Sequence, residues 1–224
     1  MKKALMLKTV NARMESYGGF LWPNSGKVVA PDWNPEPVCG GGLHGLLWGE
    51  GGVDHLDFHA EAKWLVCEID ADAAVSIDGD KIKVPECTVV HCGDRASATQ
   101  YLYERARAGT VIQGLVYAGG NESTVTGGNW STVTGGNEST VTGGNESTVT
   151  GGYRSTVTGG DWSTVTGGDR STVTGGDRSV LQISWWDGLR KRIATAYVGE
   201  DGIEAGVKYG LDDAGQFKAV EGGK

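Results

Sequence analysis

Ser123-Thr124-Val125-Thr126-Gly127-Gly128-Asn129-Trp130, followed without a break by Ser131-Thr132-Val133-Thr134-Gly135-Gly136-Asn137-Glu138, decides the fold of this chain. The Ser-Thr-Val-Thr core recurs seven times at a strict period of eight, beginning at Ser123, Ser131, Ser139, Ser147, Ser155, Ser163 and Ser171. A fixed short period stacks each unit on a copy of itself, so whatever one unit shows to solvent is repeated as a lattice. Alternate side chains of an extended strand share a face, which puts Ser and Val on one side and both threonines on the other. Burying Val125, Val133, Val141, Val149, Val157, Val165 and Val173 turns every threonine outward. The opposite choice would bury two hydroxyls per unit and expose its only apolar side chain.

A four-residue strand and a four-residue corner make half a circuit, so two units close one sixteen-residue coil of a thin parallel β-solenoid. Coils stack at about 4.8 Å. Thr124, Thr126, Thr140, Thr142, Thr156, Thr158, Thr172 and Thr174 then form two ranks on one face. Thr132, Thr134, Thr148, Thr150, Thr164 and Thr166 form two on the other. The inward serines are expected to bond to corner backbone, and the glycine pairs to supply the freedom that tight corners need.

Sorted by alternate units, the variable corner residues make one column of Glu122, Glu138, Arg154 and Arg170 and another of Trp130, Glu146, Trp162 and Arg178. That order sets Glu138 beside Arg154 and leaves array ends of opposite sign. Arg154, Arg170, Arg178, Trp130 and Trp162 are the candidate assembly contacts. The plainer reading is of solvated corners whose ion pairs contribute at most about 1 kcal/mol each.

Both array ends are degenerate, as caps are. Leu115-Val116-Tyr117-Ala118-Gly119-Gly120 fills the frame of one further unit and Ser179-Val180-Leu181-Gln182 that of another. The expected organisation is a small α+β domain over 1–110, a β-solenoid with capping units over 111–184, and a C-terminal β cap over 185–224. Lys3 to Val10, Lys63 to Glu68, Lys81 to Val84 and Thr88 to His91 read as strands. Asp94 reads as the cap of a helix reaching about Arg107. After the array, Leu181 to Trp186 and Leu189 to Val198 read as a hairpin around a two-residue Asp187-Gly188 turn. A second strand pair is expected around Ile203 to Tyr209 and Gln216 to Val220.

A net charge of -8 argues against nucleic acid and anionic membrane surfaces as partners. The basic start at Lys2-Lys3 precedes an apolar run too short for a signal-peptide core, and no stretch approaches about 18 apolar residues. A cytoplasmic location is expected, with release by lysis open. Cys39, Cys67, Cys87 and Cys92 lack CxxC spacing and read as reduced thiols. Cys87, His91 and Cys92, or His55 and His59, are the weaker metal reading. The glycine-rich stretch Val38-Cys39-Gly40-Gly41-Gly42-Leu43-His44-Gly45 lacks the Gly-Lys-Ser/Thr end of a phosphate loop. Cys39 and His44 are a conceivable nucleophile and base, although a structural loop histidine accounts for His44 as well. No catalytic residue, metal or cofactor is expected.

The Gly-Gly-Leu-His-Gly-Leu-Leu-Trp-Gly stretch, the octapeptide array and the Trp-Trp-Asp-Gly cap together resemble uncharacterised bacterial and phage or prophage proteins with similar repeats. The array alone, through Gly-Asp-Arg-Ser-Thr-Val-Thr-Gly, resembles the water-organising repeat of bacterial ice nucleation proteins. That resemblance implies a sixteen-residue coil whose outward Thr-x-Thr ranks, here the fourteen threonines named above, act on water. With only three and a half coils, about 17 Å of stacked height, it implies adsorption to ice rather than nucleation by one copy. Three functions follow as expectations: a non-enzymatic solenoid that orders water or binds ice; a phage-related structural or surface-recognition module, self-associating or touching protein or glycan; and an enzyme in the first domain with the solenoid as spacer.

Overall fold

Short apolar runs such as Lys3 to Val10 and Lys63 to Glu68 punctuate the first hundred positions, and in the computed structural model, which describes residues 2–220, they belong to one antiparallel sheet. Its strands are β1 (Lys3–Val10), β2 (Gly26–Val29), β3 (Leu43–Leu47), β4 (Lys63–Asp70), β5 (Val75–Ile77), β6 (Lys81–Val84) and β7 (Glu86–Gly93). They lie in the order β2-β7-β4-β1-β3-β6-β5. The centre is β1 against β4, paired from Lys3 opposite Asp70 to Val10 opposite Lys63. Met6, Leu7, Leu65, Val66 and Cys67 are fully buried there.

The one α-helix among the described residues, α1 (Arg95–Tyr103), lies against β4 and β7 and buries Ala98 and Leu102. The Asp94 carboxylate caps it by accepting from the Ser97 N–H at 2.8 Å. The helix stops at Tyr103, one turn short of the expected Arg107.

Three strands of this sheet, β2, β3 and β5, carry no clear signal in the sequence. The most informative is β3, because it occupies the glycine-rich stretch read above as a loop. Gly45 sits inside it where a Cβ would lie 2.5 Å from the Leu7 carbonyl oxygen, so glycine here allows close approach of a neighbouring strand. His44 is therefore a strand residue, not a loop residue.

The second unit begins at Gly114. Its repeat strands are β8 (Val116–Ala118), β9 (Thr124–Thr126), β10 (Thr132–Thr134), β11 (Thr140–Thr142), β12 (Thr148–Thr150), β13 (Thr156–Thr158), β14 (Thr164–Gly167), β15 (Thr172–Thr174) and β16 (Val180–Trp186). Alternate strands pair in parallel, β8-β10-β12-β14-β16 in one sheet and β9-β11-β13-β15 in the other. Thr132 pairs with Thr148 and Val133 with Val149, a sixteen-residue offset kept through both sheets. The chain is thus a β-rich domain with one helix followed by a parallel β-solenoid.

Valine and serine fill the space between the two sheets. The seven repeat valines are at most 1% exposed. The serines build a ladder between coils. The Ser131 N–H donates to Ser147 Oγ at 3.1 Å and the Ser147 N–H to Ser163 Oγ at 3.1 Å. Each hydroxyl in turn donates to a corner carbonyl, as Ser147 Oγ does to Gly128 O at 3.3 Å. Ser131 Oγ is the exception, buried and without a partner. Ser147→Ala, which leaves the buried Ser131 N–H without its acceptor, is expected to cost about 1–3 kcal/mol, and Ser131→Ala close to nothing. Denaturant unfolding of the two variants checks the contrast.

Both caps take the registers expected of them, with Tyr117 opposite Val133 and Leu181 opposite Val165. Antiparallel strands finish the C-terminal edges: β17 (Lys191–Tyr197) pairs with β16, and β18 (Tyr209–Leu211), backed by β19 (Phe217–Ala219), meets β15 where Tyr209 opposes Val173. The hairpin turn departs from the expected two residues. Trp186 pairs with Lys191, leaving Asp187 to Arg190 as a four-residue loop. Asp187 is the cause: its carboxylate accepts the N–H groups of Leu189 and Arg190 at 2.8 Å each and is held down to about 2 by them and by Arg192.

Candidate functional site

The repeat's surface is set by strand alternation. None of the fourteen threonines is buried, and each pairs in register with its copy sixteen residues on wherever both belong to repeat strands. The result is a rectangular net of hydroxyl and methyl groups, about 4.8 Å between coils and about 6.6 Å along each strand.

The two faces differ in extent. The β9-β11-β13-β15 face carries threonine pairs on four successive strands. On the other face threonine pairs occupy β10, β12 and β14, flanked by Val116 and Ala118 on β8 and by Val180 and Gln182 on β16. There Thr150 and Thr166 also border a groove of about 650 Å³ walled by Tyr153, Trp185 and Trp186. The first face is the longer uninterrupted lattice.

The corners work differently from the sequence expectation. None of the glycine pairs in the array takes a positive φ. The left-handed residue is the second variable one: Glu122, Trp130, Glu138, Glu146, Arg154, Trp162, Arg170 and Arg178 all have φ between 55° and 60°. Each costs about 1 kcal/mol relative to glycine, and the stacked structure over-determines it. The glycines are there because the next strand of the same coil and the stacked corner of the adjacent coil leave no room for a side chain. A Cβ on Gly144 would lie 2.7 Å from the Asn129 backbone nitrogen, and one on Gly143 would lie 2.6 Å from a Val149 methyl.

The first variable residue ties the coils together. Asn121, Asn129, Asn137, Asn145 and Asp161 each accept, through Oδ1, the backbone N–H sixteen residues later at 2.9–3.0 Å. Tyr153 interrupts one column, because its ring has no acceptor to offer the Asp169 N–H. Tyr153→Asn restores the rung and is expected to raise solenoid stability by about 0.5–1 kcal/mol, measured by denaturant unfolding.

The corner columns stack as expected, with the Glu138 N–H donating to the Tyr153 carbonyl and the Trp162 N–H to the Asp177 carbonyl. The expected Glu138–Arg154 pairing does not form as an ion pair. Arg154 turns instead onto the Tyr153 ring, 5.1 Å from its centroid, and Arg178 covers the Trp162 ring at 4.6 Å. Arg170 reaches Asp169 at 3.8 Å. Trp130 and Trp162 remain 41% and 59% exposed, so aromatic and guanidinium groups dominate these corners.

The chemical candidates of the first unit are dispersed. Among the described residues no group of three or more His, Cys, Asp or Glu side chains is placed to hold a metal ion. His91 stacks on Tyr101 at 5.2 Å and contacts Ser97 Oγ at 3.1 Å. Cys67 hydrogen-bonds to Cys87, which together with burial pushes its thiol well up. Cys39 is exposed, and its bonding partner is Lys81 Nζ at 3.5 Å, not His44. No helix among the described residues is long and apolar enough to cross a membrane.

Residues 4–103 match a family described as a domain of unknown function, DUF7666. The repeat region is similar to ice nucleation proteins. It is 38% identical over 125 residues to the ice nucleation protein of Enterobacter agglomerans, covering 55% of this chain and 10% of that protein. Against ice nucleation protein InaU of Pantoea ananas it is 38% identical over 125 residues, 55% of this chain and 12% of the relative. Against the ice nucleation protein of Pseudomonas syringae it is 39% identical over 104 residues, 46% of this chain and 9% of the relative. The chain spans about a tenth of the length of the curated relatives it matches. No solved structure matches it.

Proposed function

We propose that the solenoid is a non-enzymatic water-ordering module that adsorbs to ice through the threonine lattice of β9, β11, β13 and β15. The observation that carries this reading is the in-register pairing of Thr140 and Thr142 with Thr124 and Thr126 on one side and with Thr156 and Thr158 on the other. Hydroxyl and methyl groups on such a net are immobilised by backbone pairing before any ligand arrives. A water layer or ice plane can therefore dock at little further entropic cost. Similarity of the repeat to ice nucleation proteins supports the same reading.

Extent sets the expected strength. Four strands at about 4.8 Å and two threonine ranks offer a patch of only about 100 Å². A single copy is therefore an ice-adsorbing surface, and stronger activity requires copies to assemble, with the Arg154, Arg170, Arg178, Trp130 and Trp162 corners as contacts. The test is growth of a single ice crystal in a solution of the full chain. Faceting, with a gap between melting and growth temperatures, is expected; rounded growth indistinguishable from that in an inert protein of equal mass would sink the reading.

A further inference from the structure

The first unit holds a cleft of about 830 Å³ whose charges are unbalanced. Lys8 on β1, His44 on β3 and Lys81 on β6 all line it. Lys8 is half-buried, and this burial, opposed by Cys67 and reinforced by repulsion from Lys81, pushes its ammonium pKa down. Neither Lys8 nor Lys81 forms an ion pair among the described residues. His44 Nε2 is buried with no hydrogen-bond partner. Burial, followed by Lys81, Lys8 and Lys83, pushes the His44 pKa down as well.

The other lining groups offset only part of this charge. Asp32 is the one carboxylate lining the cleft among the described residues, and its Oδ1 accepts the Gly42 N–H at 3.2 Å. His55 also faces the cleft but reaches Asp80 at 3.3 Å. Burying an unpaired ammonium is costly, so a structure that keeps Lys8 there gains by receiving an anion.

The cleft is also a built shape. Lys83, fully buried, donates to the Val38 and Gly40 carbonyls at 2.8 and 2.9 Å and fastens the glycine-rich segment to β6. The facing wall is aromatic, with Phe20 edge-on to Trp22 at 5.8 Å. Tyr17 stands fully exposed at the rim.

We propose that this cleft binds a small oxyanion carried on a planar ring, of about nucleoside monophosphate size: the phosphate or carboxylate meets the Lys8 and Lys81 ammonium groups, His44 Nε2 takes up a proton as the anion arrives and then donates to it, and the ring lies on Phe20. A volume of this order suits such a ligand. The role is separate from that of the threonine lattice and does not depend on it.

Calorimetric titration of the full chain with AMP, nicotinate, adenosine and inorganic phosphate tests it. AMP or nicotinate is expected to saturate with a Kd below about 1 mM, at least about tenfold tighter than adenosine or phosphate alone. AMP in preference to nicotinate assigns a phosphate, and the reverse a carboxylate. Lys8→Met should weaken that binding at least about tenfold while raising Tm, because it removes an uncompensated buried charge. A folding defect cannot mimic that pair of changes. Phe20→Ala should bring the ring ligand down to the affinity of phosphate alone. Absence of saturation by both ring anions at about 10 mM, or undiminished binding by Lys8→Met, overturns the proposal.

Discussion

Val149→Asp is expected to abolish the cooperative unfolding transition of the solenoid. Val149 is fully buried and sits in register between Val133 and Val165, with Gly143 close against one of its methyls. A carboxylate placed there meets no cation, and the adjacent serine N–H groups are already committed to serine oxygens. The cost of such an unpaired buried charge is several kcal/mol, against a total stability of about 5–15 kcal/mol for an ordinary domain. A thin stack amplifies the loss, since each coil is held chiefly by its two neighbours. Val149→Ala, which only empties space, should cost about 2 kcal/mol and leave the transition cooperative. Circular dichroism during heating separates the two outcomes.

The solenoid was legible because period, alternation and burial all select one arrangement. Eight-residue spacing fixed the half-coil, and the single valine in each unit fixed which face is inside. The corners were less legible for a physical reason. Glycine attracts the expectation of a left-handed residue, yet here it answers to the approach of neighbouring coils. The left-handed position falls to Glu, Trp or Arg, whose side chains carry no such signal. Asparagine rungs were hidden as well, since each joins residues sixteen apart through a side-chain oxygen.

In the first unit, long strands such as Lys3–Val10 could be read from their apolar runs. Short strands beside glycine could not, and Leu43–Leu47 was hidden by the glycines around and within it. The charged cleft was out of reach of sequence reading because Lys8, His44 and Lys81 come from strands far apart in sequence that become neighbours only in the sheet. The two-residue hairpin expectation failed at Asp187, where side-chain capping of two N–H groups favours a longer loop.

Thr142→Lys combined with Thr158→Lys is expected to remove ice affinity while leaving the fold intact. The two threonines pair across β11 and β13 in the middle of the longer lattice, and both point outward. Lysine replaces a short hydroxyl-methyl group with a flexible, strongly hydrated chain that stands above the net. Two such chains about 4.8 Å apart hold an ice plane away from the remaining threonines. Outward substitutions of this kind change stability by about 1 kcal/mol or less, so a loss of affinity cannot be attributed to unfolding. Thr148→Lys with Thr164→Lys, on the shorter face beside the aromatic groove, should cause the smaller loss.

Fluorescently labelled parent chain, the Thr142→Lys/Thr158→Lys variant and the Thr148→Lys/Thr164→Lys variant can be partitioned side by side into a slowly growing ice hemisphere. The expected result is incorporation of the parent chain, exclusion of the first variant at the level of an inert protein, and partial retention of the second. Equal incorporation of the parent and the first variant, with both folded by circular dichroism, would mean that the β9-β11-β13-β15 threonines do not bind ice.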